Sequence, residues 1–351
     1  MPIPPSVAPL VLQADDAEVR LHFAGQLQGQ LDVTPAPAAL AARLRRLRLG
    51  LDGKALDEQL RFGLQLNVAP GATELLDAWA GWAPRDDLQL RAGLFKTPFT
   101  RYRDQSYQAL LLVDWPVAAK AFGAERQLGL ALGDGRPGQR GLGWAVGVFT
   151  GTNSRKAFAT GVADANGVAL DNPSDLATGT GAYALHPELV GRITAGTPGM
   201  QTGTTYDHEG GTARALVGAS AAWDLDPDPT VEFTGRGALE ALLKLSHASV
   251  DAVGYLGLGE DGAPAAVGGT AELAVVPTPR LGLAVVGSRV DVLPGLPDAV
   301  LDQTAELGGG GTWFVHGTGL DLALDAAWLH TVREGVAVDG ARVRLQAQLA
   351  L

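Results

Sequence analysis

Arginines recur at every second position in several stretches of this chain, a spacing suited to coordinating anions along a surface. Arg20 sits between Val19 and Leu21, Arg46 and Arg48 flank Leu47, Arg61 lies between Leu60 and Phe62, and Arg91 follows Leu90. Arg342 and Arg344 repeat the pattern around Val343 near the end of the chain. A guanidinium stays charged at physiological pH and offers forked donors to phosphate or carboxylate, so a row of them passes an anion along without trapping it. Lys96, Arg101, Arg103 and Lys120 add cations in and beside the stretch 97–126.

Catalytic chemistry is poorly supplied. Cysteine is absent, which removes thiol nucleophiles and thiolate metal sites together. The six histidines show no metal-binding spacing, and no Gly-x-Ser-x-Gly elbow occurs. Gly-x-Gly-x-x-Gly appears at 133–138 and 257–262, but neither stretch precedes a helical pattern. Asp224, Asp226 and Asp228 alternate as a solvated acidic turn would, in preference to a calcium site. No enzyme, cofactor or metal is expected. The net charge of -11 opposes nucleic acid as a partner.

The elements that must position these arginines are strands. From 19 to 34, VRLHFAGQLQGQLDVT puts Val19, Leu21, Phe23, Leu27 and Leu31 on one parity and Arg20, His22, Gln26, Gln28 and Gln30 on the other. This is the period of a sheet that separates oil from water. The same period returns near 47–51, 60–68, 75–83 and 88–94, and then at 127–132, 141–150, within 183–195, and at 212–223, 231–246 and 250–258. It continues at 266–276, 281–290, 305–315, 320–330 and 342–351, giving about sixteen strands. Many run to about ten residues, the length a tilted strand needs to cross a bilayer, whereas soluble strands average roughly five or six. With 46% hydrophobic residues and mean hydropathy of only +0.09, the chain has no window for a spanning helix. A soluble propeller or sandwich is opposed by the strand lengths and by the lack of a 40–50-residue repeat.

Connections alternate in length. Those near 85–86, 277–280 and 317–319 are short, while 97–126 and 151–180 are long, as in an outer-membrane barrel with turns on one rim and loops on the other. Two fit poorly: 197–213 is long where a turn belongs, and 224–230 is short for a loop. The expected fold is all-β, a transmembrane antiparallel barrel spanning 19–351, preceded by a leader or signal remnant at 1–18. The stretch 97–126 carries Leu110 to Val113 and Trp115-Pro116, too apolar for a loop standing in water. It is expected to fold inward as the third outer loop and set the bore. Parity places Arg20, Arg46, Arg48, Arg61, Arg91, Arg342 and Arg344 on one basic arc of the lumen, with Glu240, Lys244, Asp321 and Asp325 making the opposite arc more acidic. Trp82, Trp223 and Trp313 lie near strand ends, suited to the headgroup level or to simple packing.

Particular segments resemble the phosphate-selective porin O and P family: RLRRLRLGLDG at 43–53, LLDAWAGWAP at 75–84, LQLRAGLFKTPFTRY at 88–102 and GWAVGVFTGTN at 143–153. PTPRLGLAVVGSRVD at 277–291 and AELGGGGTWFV at 305–315 follow in the family's order. The resemblance implies a sixteen-stranded, generally trimeric barrel of the bacterial outer membrane, in contact with lipid and narrowed by an inward third loop. It carries a ladder role to Arg46 and Arg48 but no lysine cluster, since the chain has only five lysines. The expected activity is passive diffusion of small hydrophilic solutes, preferring anions such as phosphate. The rivals are a general or cation-preferring pore, suggested by the net charge, and a plugged barrel with an enzymatic or structural role.

Overall fold

A strand with one apolar and one polar face can hide its polar face and its backbone from lipid only if the sheet closes on itself. In the computed structural model it does. The structure describes all residues except 1–9, 15, 34–38, 69–72, 86, 125, 135–140, 151–186, 226–232, 260–261, 295–300, 318 and 351. The expected loop at 151–180, Asp226 and Asp228, and most of the glycine stretch at 133–138 lie outside the described residues.

The first eight strands are β1 (Leu10–Ala14), β2 (Ala17–Val33), β3 (Ala39–Ala55), β4 (Leu60–Asn67), β5 (Glu74–Arg85), β6 (Leu88–Lys96), β7 (Arg126–Gly133) and β8 (Leu142–Phe149). Then come β9 (Glu188–Gly196), β10 (Arg214–Asp224), β11 (Gly235–Leu245), β12 (Ala248–Leu258) and β13 (Pro264–Thr278). The last are β14 (Leu281–Val292), β15 (Leu301–His316), β16 (Leu320–Arg333) and β17 (Val336–Ala350). From β2 to β17 each strand pairs antiparallel with the next, and β17 returns to β2 with Val33 opposite Ala341 and Ala24 opposite Ala350. Sixteen strands therefore form the wall. Where β17 stops, β1 takes over, pairing with β2 from Leu21 to Ala17 and prolonging the line of the closing strand. This short strand lies inside the stretch read as a leader.

The side chains are arranged opposite to those of a soluble domain. Leu27, Leu130, Val217, Leu239, Leu273, Leu307 and Leu345 are exposed, whereas Gln26, Arg236, Glu240, Asp251, Glu272, Glu306, Asp325 and Arg344 are buried. Trp82 and Trp313 near one rim and Trp223 near the other stand exposed on the apolar face, where an indole suits the membrane interface.

The rim bearing the start of β2 and the end of β17 is called the lower rim. Its turns are short at 56–59, 246–247 and 279–280, but 197–213 is long. On the upper rim β16 and β17 are joined by only Glu334 and Gly335, with φ of 47° and 76°. A left-handed pair of this kind makes a tight hairpin that Gly tolerates well. It carries β17 back to Val336, where the alternation had announced a strand only from 342.

Candidate functional site

Within 97–125 the chain forms a short helix α1 (Arg101–Asp104), a 3-10 turn at Tyr107–Ala109 and a second helix α2 (Val117–Phe122). Apolar side chains of this segment pack together on the polar side of the wall: Phe99, Tyr102, Leu111, Val117, Ala118 and Phe122 are nearly inaccessible. The wall makes room with small residues. A Cβ on Gly282 would lie 2.3 Å from Leu111, and one on Gly268 would lie 2.5 Å from Phe122. The Phe122 ring stacks on Phe233 and Tyr255 at 5.4 and 5.2 Å.

Polar anchors reach strands far apart around the barrel. Arg101 pairs with Asp251 of β12, and its backbone N–H donates to Glu240 of β11 at 2.9 Å. The Val113 N–H donates to Asp325 of β16 at 2.9 Å, and the Ala118 N–H to Ser288 of β14 at 2.9 Å.

Asp114 is the centre of the charge pattern. Its carboxylate accepts from Arg45 at 2.7 Å and from Lys120 at 2.6 Å, with Arg46 and Arg344 each at 3.8 Å. Burial favours its neutral form, but Arg45, Lys120, Arg46 and Arg344 together outweigh that and hold it well below the usual carboxylate range. Arg46 also lies over the rings of Tyr107 and Trp115 at 4.9 and 5.6 Å, Arg48 over Tyr107 at 4.4 Å, and Arg103 over Trp115 at 4.8 Å. Aromatic faces thus add to the hold on these cations.

Arg45 was missing from the sequence reading. A β-bulge opposite Gln26 and Leu27 makes it the extra residue of β3, so consecutive Arg45 and Arg46 both bury their guanidinium groups. The three-residue step from Leu44 to Leu47 in RLRRLR, where alternation requires two, was the available signal.

The other cations fall into two overlapping sets. Arg344 forms a bidentate pair with Asp325 at 2.8 and 2.6 Å, Arg342 meets Glu306 at 2.6 Å, Arg61 meets Glu58 at 3.7 Å, and Arg20 meets Glu18 at 2.6 Å. A basic wall facing an acidic one is therefore not found at the seam. Arg344 stands directly opposite Asp325 on adjacent strands, so these charges neutralise side by side. The second set faces a cavity of about 570 Å³ bounded by the 97–125 segment and strands β4 to β9, lined by Arg61, Arg91, Lys96, Arg101, Arg192, Asp104 and Asp134 among others. Two of its cations have no ion pair among the described residues. Arg91 lies over the Trp79 ring at 4.4 Å and reaches Gln89 at 3.4 Å, while the Lys96 ammonium donates to the carbonyls of Asp104 and Gln105, both at 2.8 Å. Arg192, also missed, holds Glu240 through two bonds at 2.9 and 2.6 Å. The alternation within 188–196 could have shown it.

On the lower rim, His208 sits edge-on to Tyr206 and Phe314 at 4.7 and 4.9 Å. Burial, with Lys244 and His247 adding to it and Asp207 opposing, lowers its pKa to about 4. Because the packed ring binds its proton less tightly than a free histidine, the packing is fully favoured above pH 6.5 and weakens as the pH falls toward 4. An NMR titration of the His208 ring is expected to show a midpoint near 4, and a midpoint near 6.5 would refute the packing.

A model of the phosphate-selective porin O and P family matches residues 19–263. No curated protein matches the chain. Among solved structures, the outer membrane channel DcaP of Acinetobacter baumannii aligns with 97% of this chain and 99% of its own, at 13% identity and a TM-score of 0.64. The anion-selective porin from Comamonas acidovorans aligns with 96% of this chain and 100% of its own, at 11% identity and a TM-score of 0.60. A mutant of the Rh. blastica porin covers 95% and 100%, at 11% identity and a TM-score of 0.57. At such identities the likeness is one of fold.

Proposed function

The chain belongs to the phosphate-selective porin O and P family and is a β-barrel porin of the bacterial outer membrane, and from that premise we propose a passive channel that prefers small anions, phosphate or similar oxyanions among them. In this reading 97–126 is the constriction, the lower rim faces the periplasm, and the subunits assemble as the homotrimer that the family resemblance implies. The observation that carries the anion preference is the cavity beside the constriction. Arg91 and Lys96 face it with aromatic and carbonyl partners in place of carboxylates. An anion entering there meets positive charge without displacing an internal counter-ion. Arg45, Arg46, Arg103, Lys120 and Arg344 gather around Asp114 as a second group of cations.

This arrangement favours a channel: the charged groups that meet the cavity can bind and orient a passing solute. The family model and the anion-selective Comamonas neighbour point the same way. The test is a bilayer recording of the purified protein under a salt gradient. The expected result is ion conductance with a reversal potential on the anion side. A reversal potential on the cation side would overturn the anion assignment, and absence of conductance would overturn the channel itself.

A further inference from the structure

The long turn at 197–213 breaks the pattern of its rim. Turns at 246–247 and 279–280 have only two residues, the natural length for joining antiparallel neighbours. A turn of this length on the same rim can either stand in water or fold under the barrel. Its side chains show that it folds inward. Met200 packs on Leu216 and Leu242, and Tyr206 is 1% exposed in a cluster with Leu111, Leu112 and Phe314. Leu111 and Leu112 belong to the 97–125 segment, so the turn rises from the lower rim to meet the segment descending from the upper one.

Polar bonds hold it there. The Thr205 hydroxyl donates to Glu272 at 2.6 Å, and the Lys244 ammonium donates to the Gln201 carbonyl at 2.7 Å and to Thr204 at 3.1 Å. Asp207 accepts from Arg214 at 2.6 Å and from the His247 N–H at 3.2 Å. These anchors lie on β10, β11 and β13 and in the neighbouring turn, on the far side of the lumen from β4 to β7. The turn and the constriction segment together fill that side. A cavity remains along β4 to β9, and Thr202 and Gly203 form part of its boundary.

We propose that the turn 197–213 is a second constriction in series with the first, and that Gly203 sets the bore at the periplasmic exit. The proposal rests on the channel reading. Gly203 is exposed, its φ lies outside the left-handed region, and a Cβ built on it meets nothing within 4 Å. A side chain there extends into open space without displacing the fold. The selective path therefore has two narrow points built differently: one of cations around Asp114 and beside the cavity, the other of a glycine backbone and a threonine hydroxyl. Solute size is selected at the exit and charge above it.

The chain has no cysteine, which permits a clean test. Gly203→Cys is made in the full-length protein and recorded in a planar bilayer before and after a bulky anionic methanethiosulfonate reagent is added on the periplasmic side. Gly254→Cys on the lipid-facing parity of β12, where a Cβ also meets open space, serves as the control. The expected result is a several-fold fall in single-channel conductance on modification at 203 and no change at 254. Gly203→Trp is expected to give a similar fall while unfolding at the wild-type temperature. Unchanged conductance with thiol labelling at 203 verified by mass, or an unlabelled thiol at 203 beside a conducting channel, would overturn the proposal and leave the channel reading intact. A wild-type barrel that passes no current would overturn the channel reading first and the proposal with it.

Discussion

Asp114→Asn is expected to release the 97–125 segment while leaving the barrel wall folded. The substitution keeps the shape and removes the charge at the one point where Arg45, Arg46, Lys120 and Arg344 converge. Arg344 retains Asp325, but Arg45 and Lys120 lose the carboxylate that each contacts within 2.7 Å. Removing one partner from a buried ion pair typically costs about 3–5 kcal/mol, because the remaining charge stays desolvated. The wall does not share that loss, since its ladder from β2 to β17 closes through backbone bonds. The cost falls on the docked segment. Trypsin is expected to cut at Lys120 in the variant and not in the wild type, and single-channel conductance to rise several-fold with greater current noise. Lys120→Met separates this account from simple loss of a contact. It removes one cation but leaves Asp114 facing Arg45, Arg46 and Arg344, so no buried charge is stranded, and it is expected to cost less than Asp114→Asn does. Equal effects of the two variants would show that Asp114 is not the organising charge.

The asymmetry between these variants also marks what could be read from the chain. Period-two alternation revealed the wall, because a strand between lipid and water must alternate and little else in a sequence does so for ten residues. The apolar run from Leu110 to Val113, placed between two polar stretches, marked the segment 97–126 as unsuited to water. Parity failed where the backbone breaks its own period. The bulge in β3 buries the guanidinium of Arg45 next to that of Arg46, and strict alternation assigns them to opposite faces. Pairing also was not legible. Arg344 and Asp325 are nineteen residues apart in sequence and directly opposite in space, a relation set by strand register. Register depends on the hairpin at Glu334 and Gly335, which looked like part of a longer loop. The misfit at 197–213 was visible, but its cause was not: the length of a turn does not state which way it folds, and only the burial of Met200 and Tyr206 does. The glycines offered a weaker clue. Gly268 and Gly282 lie on the polar parity of β13 and β14, and nothing in their spacing tells that Phe122 and Leu111 occupy the space above them.

Replacing both Arg91 and Lys96 with Gln is expected to remove most of the proposed anion preference without disturbing the fold. Arg101 and Arg192 also line the cavity, but each is committed to a carboxylate, Asp251 and Glu240 respectively. Their replacement would strand a buried anion and confound selectivity with stability. Arg91 and Lys96 carry no such obligation. An anion held about 6 Å from each gains roughly 0.7 kcal/mol per charge in a water-like dielectric. When both are protonated, the two together contribute about 1.4 kcal/mol, a factor of about ten in anion occupancy. Cations are disfavoured by the same interaction, so the permeability ratio is expected to move toward unity by at least that factor, read from the reversal potential under a salt gradient. Screening supplies an internal control. At 1 M salt the Debye length is about 3 Å, and the difference between wild type and variant should shrink, whereas at 0.01 M it should widen. A loss of selectivity that ignored ionic strength would point to an altered bore. If selectivity were unchanged at every salt concentration, the preference would have to originate elsewhere, and the cluster around Asp114 would be the next group to test.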